Sequence, residues 1–179
     1  MTSTSETEFD PSVGEVIRAQ VGEYLEGTHD GRGLRVGIAC ARFNGGITTR
    51  LLDAAIAALT AAGVDRSDIS LAWVPGAFEI PLAAQAFATG PRAVDAVITL
   101  GAVIRGDTGH YEVVAGECAR GVQAVQLRTG VPVVFGVLTT NTIDQALERS
   151  LPDETNKGRE SAFTALEMVS VLGQGSLAR

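Results

Sequence analysis

The 179-residue sequence predicts an α/β domain, a three-layer αβα sandwich around a parallel sheet of about four strands. Two observations carry that expectation. Short, β-branched, nearly continuous apolar runs recur four times between residues 34 and 138, the pattern of strands covered on both faces. Between and after them lie longer segments whose apolar residues fall at helical spacing.

The elements run in order along the chain. Residues 34–41 (LRVGIACA) read as the first strand. A helix over 48–62 places Leu51, Leu52, Ala55, Ile56 and Leu59 on one stripe, and Gly63 stops it. The second strand, 69–74 (ISLAWV), leads into a shorter helix over 79–89 with Pro81 in its permissive first turn. The third strand, 94–104 (VDAVITLGAVI), precedes a helix over 110–128 with Val114, Cys118, Val122 and Val125 on one face. The fourth strand, 131–138 (VPVVFGVL), precedes helices over 142–149 and 157–172, the last running through Ala162, Phe163, Leu166 and Val169. Right-handed crossovers make this alternation flavodoxin-like, and ligands in such sheets bind beyond the carboxyl ends of the strands.

Charge and composition narrow the function classes. The net charge is −7, and Lys157 is the single lysine among 14 basic residues, which argues against nucleic-acid or anionic-membrane binding. Residues 1–30 carry −6 of that charge, so 1–33 reads as an acidic, loosely attached tail with a short helix around 13–25, and 34–179 as the domain. Neither a signal nor a transit peptide fits the polar, acidic opening, and no apolar run is long enough to span a membrane, so a cytoplasmic location is expected. Cys40 and Cys118 have no metal or redox spacing and read as reduced core thiols. Two distant histidines and scattered acids make no metal-ligand set.

The chemistry should sit where strands end. After the first strand, Phe43 in a glycine-rich loop either offers a stacking face or plugs the sheet edge. After the second come Pro75, Gly76, Ala77, Phe78 and Glu79; Glu79 either favours a helix N-terminus or, with nearby amides, binds a polyol or amide. After the third, Gly106 and Gly109 flank Asp107 and Thr108, letting backbone N–H groups converge at a helix start suited to phosphate. The stretch fits neither a Walker loop nor GxGxxG. His29 lies in the acidic tail, so a histidine acid/base can only be His110, against the alternative of a surface histidine in a first helical turn. After the fourth strand, Asn141 or Thr142 caps a helix whose last turn carries Arg149, either a dipole partner or a phosphate clamp.

Taken together, ARFN (41–44), PGAFEIP (75–81), LGAVIRGDTGH (100–110), AGE with AR and G (115–121), FGVLTTNT with QA and ER (135–149), and NKG with ALEM (156–168) resemble the lumazine synthase family over about residues 33–172. The resemblance implies an enzyme of riboflavin biosynthesis. It would condense 5-amino-6-(D-ribitylamino)uracil with 3,4-dihydroxy-2-butanone 4-phosphate to 6,7-dimethyl-8-ribityllumazine, releasing phosphate and water. By position, Phe43 would stack on the pyrimidine, while Ala77, Phe78 and Glu79 hold the ribityl chain. Ala102, Val103 and Ile104 would contact ring and chain, and Asp107 and Thr108 would lie at the phosphate. His110 would be the proton donor and acceptor, Phe135 would close over the ring, and Arg149 would bind phosphate with Lys157 nearby.

The family also implies that Phe135 and Arg149 come from a neighbouring copy, in a pentamer or a sixty-subunit shell, with riboflavin synthase as a candidate further partner. No cofactor and no metal are implied. The chain departs from the family at Gly109, at Tyr111-Glu112-Val113 and in the acidic 151–155 segment (LPDET). Two rival readings are a flavin carrier without turnover, which gives His110 and Arg149 no task, and a scaffold whose site is vestigial.

Overall fold

The computed structural model describes residues 11–178. Four parallel strands form one sheet: β1 (Val36–Ala41), β2 (Ile69–Val74), β3 (Ala96–Ile104) and β4 (Val133–Thr140), in the order β2-β1-β3-β4. Helices cover both faces, as the apolar strand runs require. The helices are α1 (Pro11–Arg18), α2 (Gly45–Ala61), α3 (Ile80–Thr89), α4 (His110–Thr129), α5 (Ile143–Glu148) and α6 (Lys157–Leu172).

Alternation along the central strands separates two cores. Ile38 and Cys40 of β1, with Ile98, Leu100 and Ala102 of β3, face Leu51, Leu59, Ala162 and Leu166 of α2 and α6. Ala39 and Ala41, with Val97 and Val103, face Ile80, Ala84, Cys118 and Val122 of α3 and α4. Both faces of β1 and β3 are therefore apolar, while the edge strand β2 exposes Ser70, Leu71 and Trp73. Gly158 lets α6 approach α2 closely: a Cβ there would stand 1.9 Å from the Leu51 carbonyl oxygen.

Most boundaries lie within two or three residues of the sequence expectation. The first, third and fourth strands begin two residues late, and β4 runs on to Thr140. The helix expected over 48–62 starts at Gly45, because Asn44 takes a left-handed conformation (φ 57°) that turns the chain directly from β1 into α2. The expected helix over 79–89 is a 3₁₀ turn, Ala77–Glu79, followed by α3.

The expected helix around 13–25 spans Pro11–Arg18 instead. Beyond it, the chain packs along α6. The Thr28 N–H donates to Ser170 Oγ (3.1 Å), Gln174 Nε2 donates to the Glu26 carbonyl (2.9 Å), and Ser176 N–H donates to the Glu23 carboxylate (2.9 Å). His29 stacks on Phe163 with centroids 4.7 Å apart. Residues 23–30 are thus held by contacts that their acidic composition did not announce; residues 1–10 lie outside the described part.

Cys40 and Cys118 are free and buried, and burial pushes their thiols up to about 11 and about 12. No described helix is long and apolar enough to cross a membrane.

Candidate active site

The carboxyl ends of β1, β2 and β3 open on one cleft of about 710 Å³, at the sheet position where the connections reverse direction. Each wall comes from a different strand end. After β1, the Arg42 and Phe43 N–H groups donate to the Val74 and Pro75 carbonyls (2.9 and 3.2 Å), locking the two loops together. Asn44 completes the lock: its Nδ2 donates to the Ala102 carbonyl at 2.8 Å. Phe43 itself is 70% exposed, so it is an available ring face rather than a plug over the sheet edge. Asn44 escaped the sequence reading, although asparagine is one of the few residues that tolerate a left-handed φ.

After β2, Pro75, Gly76, Ala77, Phe78 and Glu79 form the second wall. Glu79 Oε2 accepts from the Gly76 N–H at 3.0 Å, so the capping reading holds for one carboxylate oxygen. Ala102, Val103 and Ile104, at the end of β3, make the floor. Gly106, Thr108, His110, Tyr111, Val113 and Val114 close the far side; of the last three, Tyr111 and Val113 entered the sequence reading only as departures from the family and Val114 only as a helix-face residue, none as part of the site. His110 opens α4, and its N–H lies 3.4 Å from Thr108 Oγ1. Asp107 is exposed on the same loop but does not line the cleft.

Phe135 and Arg149 are elsewhere. They line a separate groove of about 940 Å³ along the β4 edge, with Lys157, Arg120 and Ser161. Arg149 Nη1 donates to the Gln145 carbonyl at 3.0 Å, the helix-end partnership, and Glu148 stands 3.6 Å away. Lys157 Nζ pairs with both oxygens of Glu160 at 2.8 and 2.7 Å. Thr142, rather than Asn141, caps α5 through its bond from the Gln145 N–H. Among the described residues no group of three or more His, Cys, Asp or Glu side chains is placed to hold a metal ion.

An aromatic face, a floor of small apolar residues and a lone imidazole beside a glycine-bearing helix start occur here in a fixed chain order. The model of the 6,7-dimethyl-8-ribityllumazine synthase family matches residues 33–173. The chain belongs to this family. Membership makes it a riboflavin-biosynthesis protein of transferase type, and the matched span contains both the cleft and the β4 groove. Lumazine synthase sequence blocks therefore map onto two surfaces of one chain: the blocks at 41–44, 75–81 and 100–110 build the cleft, and those at 135–149 and 156–158 build the groove.

Proposed function

We propose that the chain condenses 5-amino-6-(D-ribitylamino)uracil with 3,4-dihydroxy-2-butanone 4-phosphate, in the cytoplasm, and that its working unit is an oligomer. The observation that carries this reading is the convergence of Phe43, Phe78, Glu79 and His110 on one cleft over the Ala102–Val103–Ile104 floor. Phe43 stacks on the pyrimidine with its exposed face. Ala77 and Phe78 backbone groups and the free Glu79 oxygen bind ribityl hydroxyls. The amides of the 106–109 loop receive the phosphate at the positive end of α4, beside Asp107 and Thr108.

The chemistry asks little of the protein beyond order and proton transfer. One amine of the uracil attacks the ketone, water leaves, and an imine joins the two substrates. Phosphate is then eliminated, the ribitylamino nitrogen attacks the carbonyl that results, and a second water leaves as the new ring closes. No enzyme amine takes part, which suits a chain whose one lysine is paired with Glu160. His110 carries protons in the imine-forming and phosphate-eliminating steps, a contribution of about 10²–10⁴-fold in such catalysis. Holding both substrates in register contributes at least comparably.

The groove on β4 supplies the missing half of the site when a second copy brings its Phe135 and Arg149 against this cleft. An Arg149 whose guanidinium uses one nitrogen on Gln145 keeps others for a phosphate. A pentamer or a shell built from pentamers satisfies this, and the mass in solution by light scattering tests it; a monomer refutes the shared site.

The decisive experiment mixes the protein with both substrates and follows lumazine absorbance beside His110→Ala. Turnover above the spontaneous rate is expected, with the variant slowed by about 10² yet still above background, since proximity survives the substitution. No turnover from an assembled parent would overturn the enzyme reading.

A further inference from the structure

The path from the sheet to His110 has little packing of its own. Gly106 and Gly109 lie on it, and a Cβ at either would meet nothing within 4 Å. Residues 105–110 are all exposed. The His110 imidazole makes no hydrogen bond among the described residues, and its N–H has only the long contact to Thr108. Its aim is therefore set by where the first turn of α4 begins.

Arg105 spans this gap. It is the first residue after β3, and its N–H donates to the Thr140 carbonyl at 2.9 Å. Its Nε donates to Asn141 Oδ1 at 2.9 Å, Nη1 donates to the Glu112 carboxylate, and the guanidinium carbon lies 4.1 Å from the centroid of the Tyr111 ring. One side chain so joins the end of β3, the first turn of α4 and the segment after β4. A planar guanidinium can serve a carboxylate, an amide oxygen and a ring face together; an ammonium cannot. The Arg105 and Glu112 side chains are 43% and 56% exposed, so their pairing adds little to folding, and removing it should leave the fold intact.

We propose that Arg105 is a positioning residue: with Glu112, Tyr111 and Asn141 it fixes the start of α4 and so aims His110 into the cleft. This rests on the reading of His110 as the proton carrier of the condensation. The same contacts commit the Arg105 charge to Glu112, leaving phosphate to the loop amides and Arg149.

Arg105→Gln tests it in the full-length chain. The expected result is a kcat lowered about 10-fold, within the roughly 10² that a 1 Å misplacement costs, with KM for the butanone phosphate within about 2-fold of the parent. Glu112→Gln should fall similarly, and the double variant no further, because both cut one tether. Arg105→Lys keeps the charge but not the fork and should recover less than about half of the lost kcat. A raised KM with unchanged kcat would make Arg105 a phosphate ligand and overturn the proposal, as would additive losses or a fully active Arg105→Lys.

Hydrogen exchange of the 111–115 amides needs no substrate and should quicken in Arg105→Gln and Glu112→Gln. Unchanged exchange overturns the tether. Quickened exchange in variants of a parent without turnover upholds the tether and rejects only the reaction. Should Arg105→Gln fail to assemble, Asn141→Ala cuts a single arm; it should lower kcat about 3-fold with the same KM pattern, and an unchanged kcat overturns the proposal.

Discussion

Asn156 is a buried polar residue next to Lys157 of the β4 groove, and replacing it gives a measurable test. It is 1% exposed. Its Oδ1 caps α6 by accepting from the Gly158 and Arg159 N–H groups at 2.8 and 3.4 Å, and its Nδ2 donates to the Leu151 carbonyl at 2.8 Å. The next residue, Lys157, donates its N–H to the Arg149 carbonyl at 3.0 Å. Asn156→Ala removes the cap, about 1 kcal/mol with a range of 0.5–2. It also removes the Nδ2 bond to the Leu151 carbonyl, which keeps its bond from the Asp153 N–H at 2.9 Å, for about another 1 kcal/mol.

A combined loss of about 1.5–3 kcal/mol corresponds to a melting point lower by roughly 3–12 °C for a domain of this size. Asn156→Asp separates the two effects. It keeps both acceptor bonds at a helix N-terminus, where a carboxylate is favoured, but sets an oxygen against the Leu151 carbonyl. It should therefore retain the cap and lose about 1 kcal/mol through the loop alone. The assay is denaturant unfolding at matched chain concentration, because self-association adds to apparent stability. A loss below about 0.5 kcal/mol for Asn156→Ala, the range of ordinary surface changes, would refute the reasoning.

The two cores give two further stability predictions. Among the described residues Thr48 Oγ1 is buried without a hydrogen-bond partner, so Thr48→Val should raise stability by about 1 kcal/mol, read as a melting point higher by about 2–4 °C; a drop would mean that the hydroxyl has a partner in solution. Both core thiols titrate above their ordinary value near 9, at about 11 for Cys40 and about 12 for Cys118. A raised folded value means stability is whole below about pH 9 and is lost as pH climbs, by up to about 1.4 kcal/mol per pH unit for each thiol. The parent should therefore lose stability more steeply above pH 9 than a Cys40→Ala, Cys118→Ala double variant, and equal slopes would refute it.

Much of the site was legible because it lies where short apolar strands end, and strand ends are marked by glycine, proline and asparagine. The segments around Phe43, Glu79 and His110 could be placed on one rim from periodicity alone. Asn44 and Arg105 were not legible as site residues. The partners of both, the Ala102 carbonyl and the Glu112, Tyr111 and Asn141 side chains, become neighbours only through the sheet order and the start of α4. The docking of residues 23–30 on α6 and the segment after it was hidden for a related reason: an acidic composition counts charges but does not show the Ser170 hydroxyl that accepts, or the Gln174 amide and Ser176 N–H that donate, from a distant part of the chain.

By itself the sequence determined the alternation of strands and helices, the two apolar faces of the central strands and the residue types gathered at their ends, because these depend on local spacing. Only the tertiary structure decided that Phe43 and His110 share a cleft while Phe135 and Arg149 line a different groove. The reason is topological: the cleft opens where β1, β2 and β3 end side by side, whereas β4 lies on the far side of β3 and its groove runs along its outer edge, and strand order is a property that no local pattern encodes.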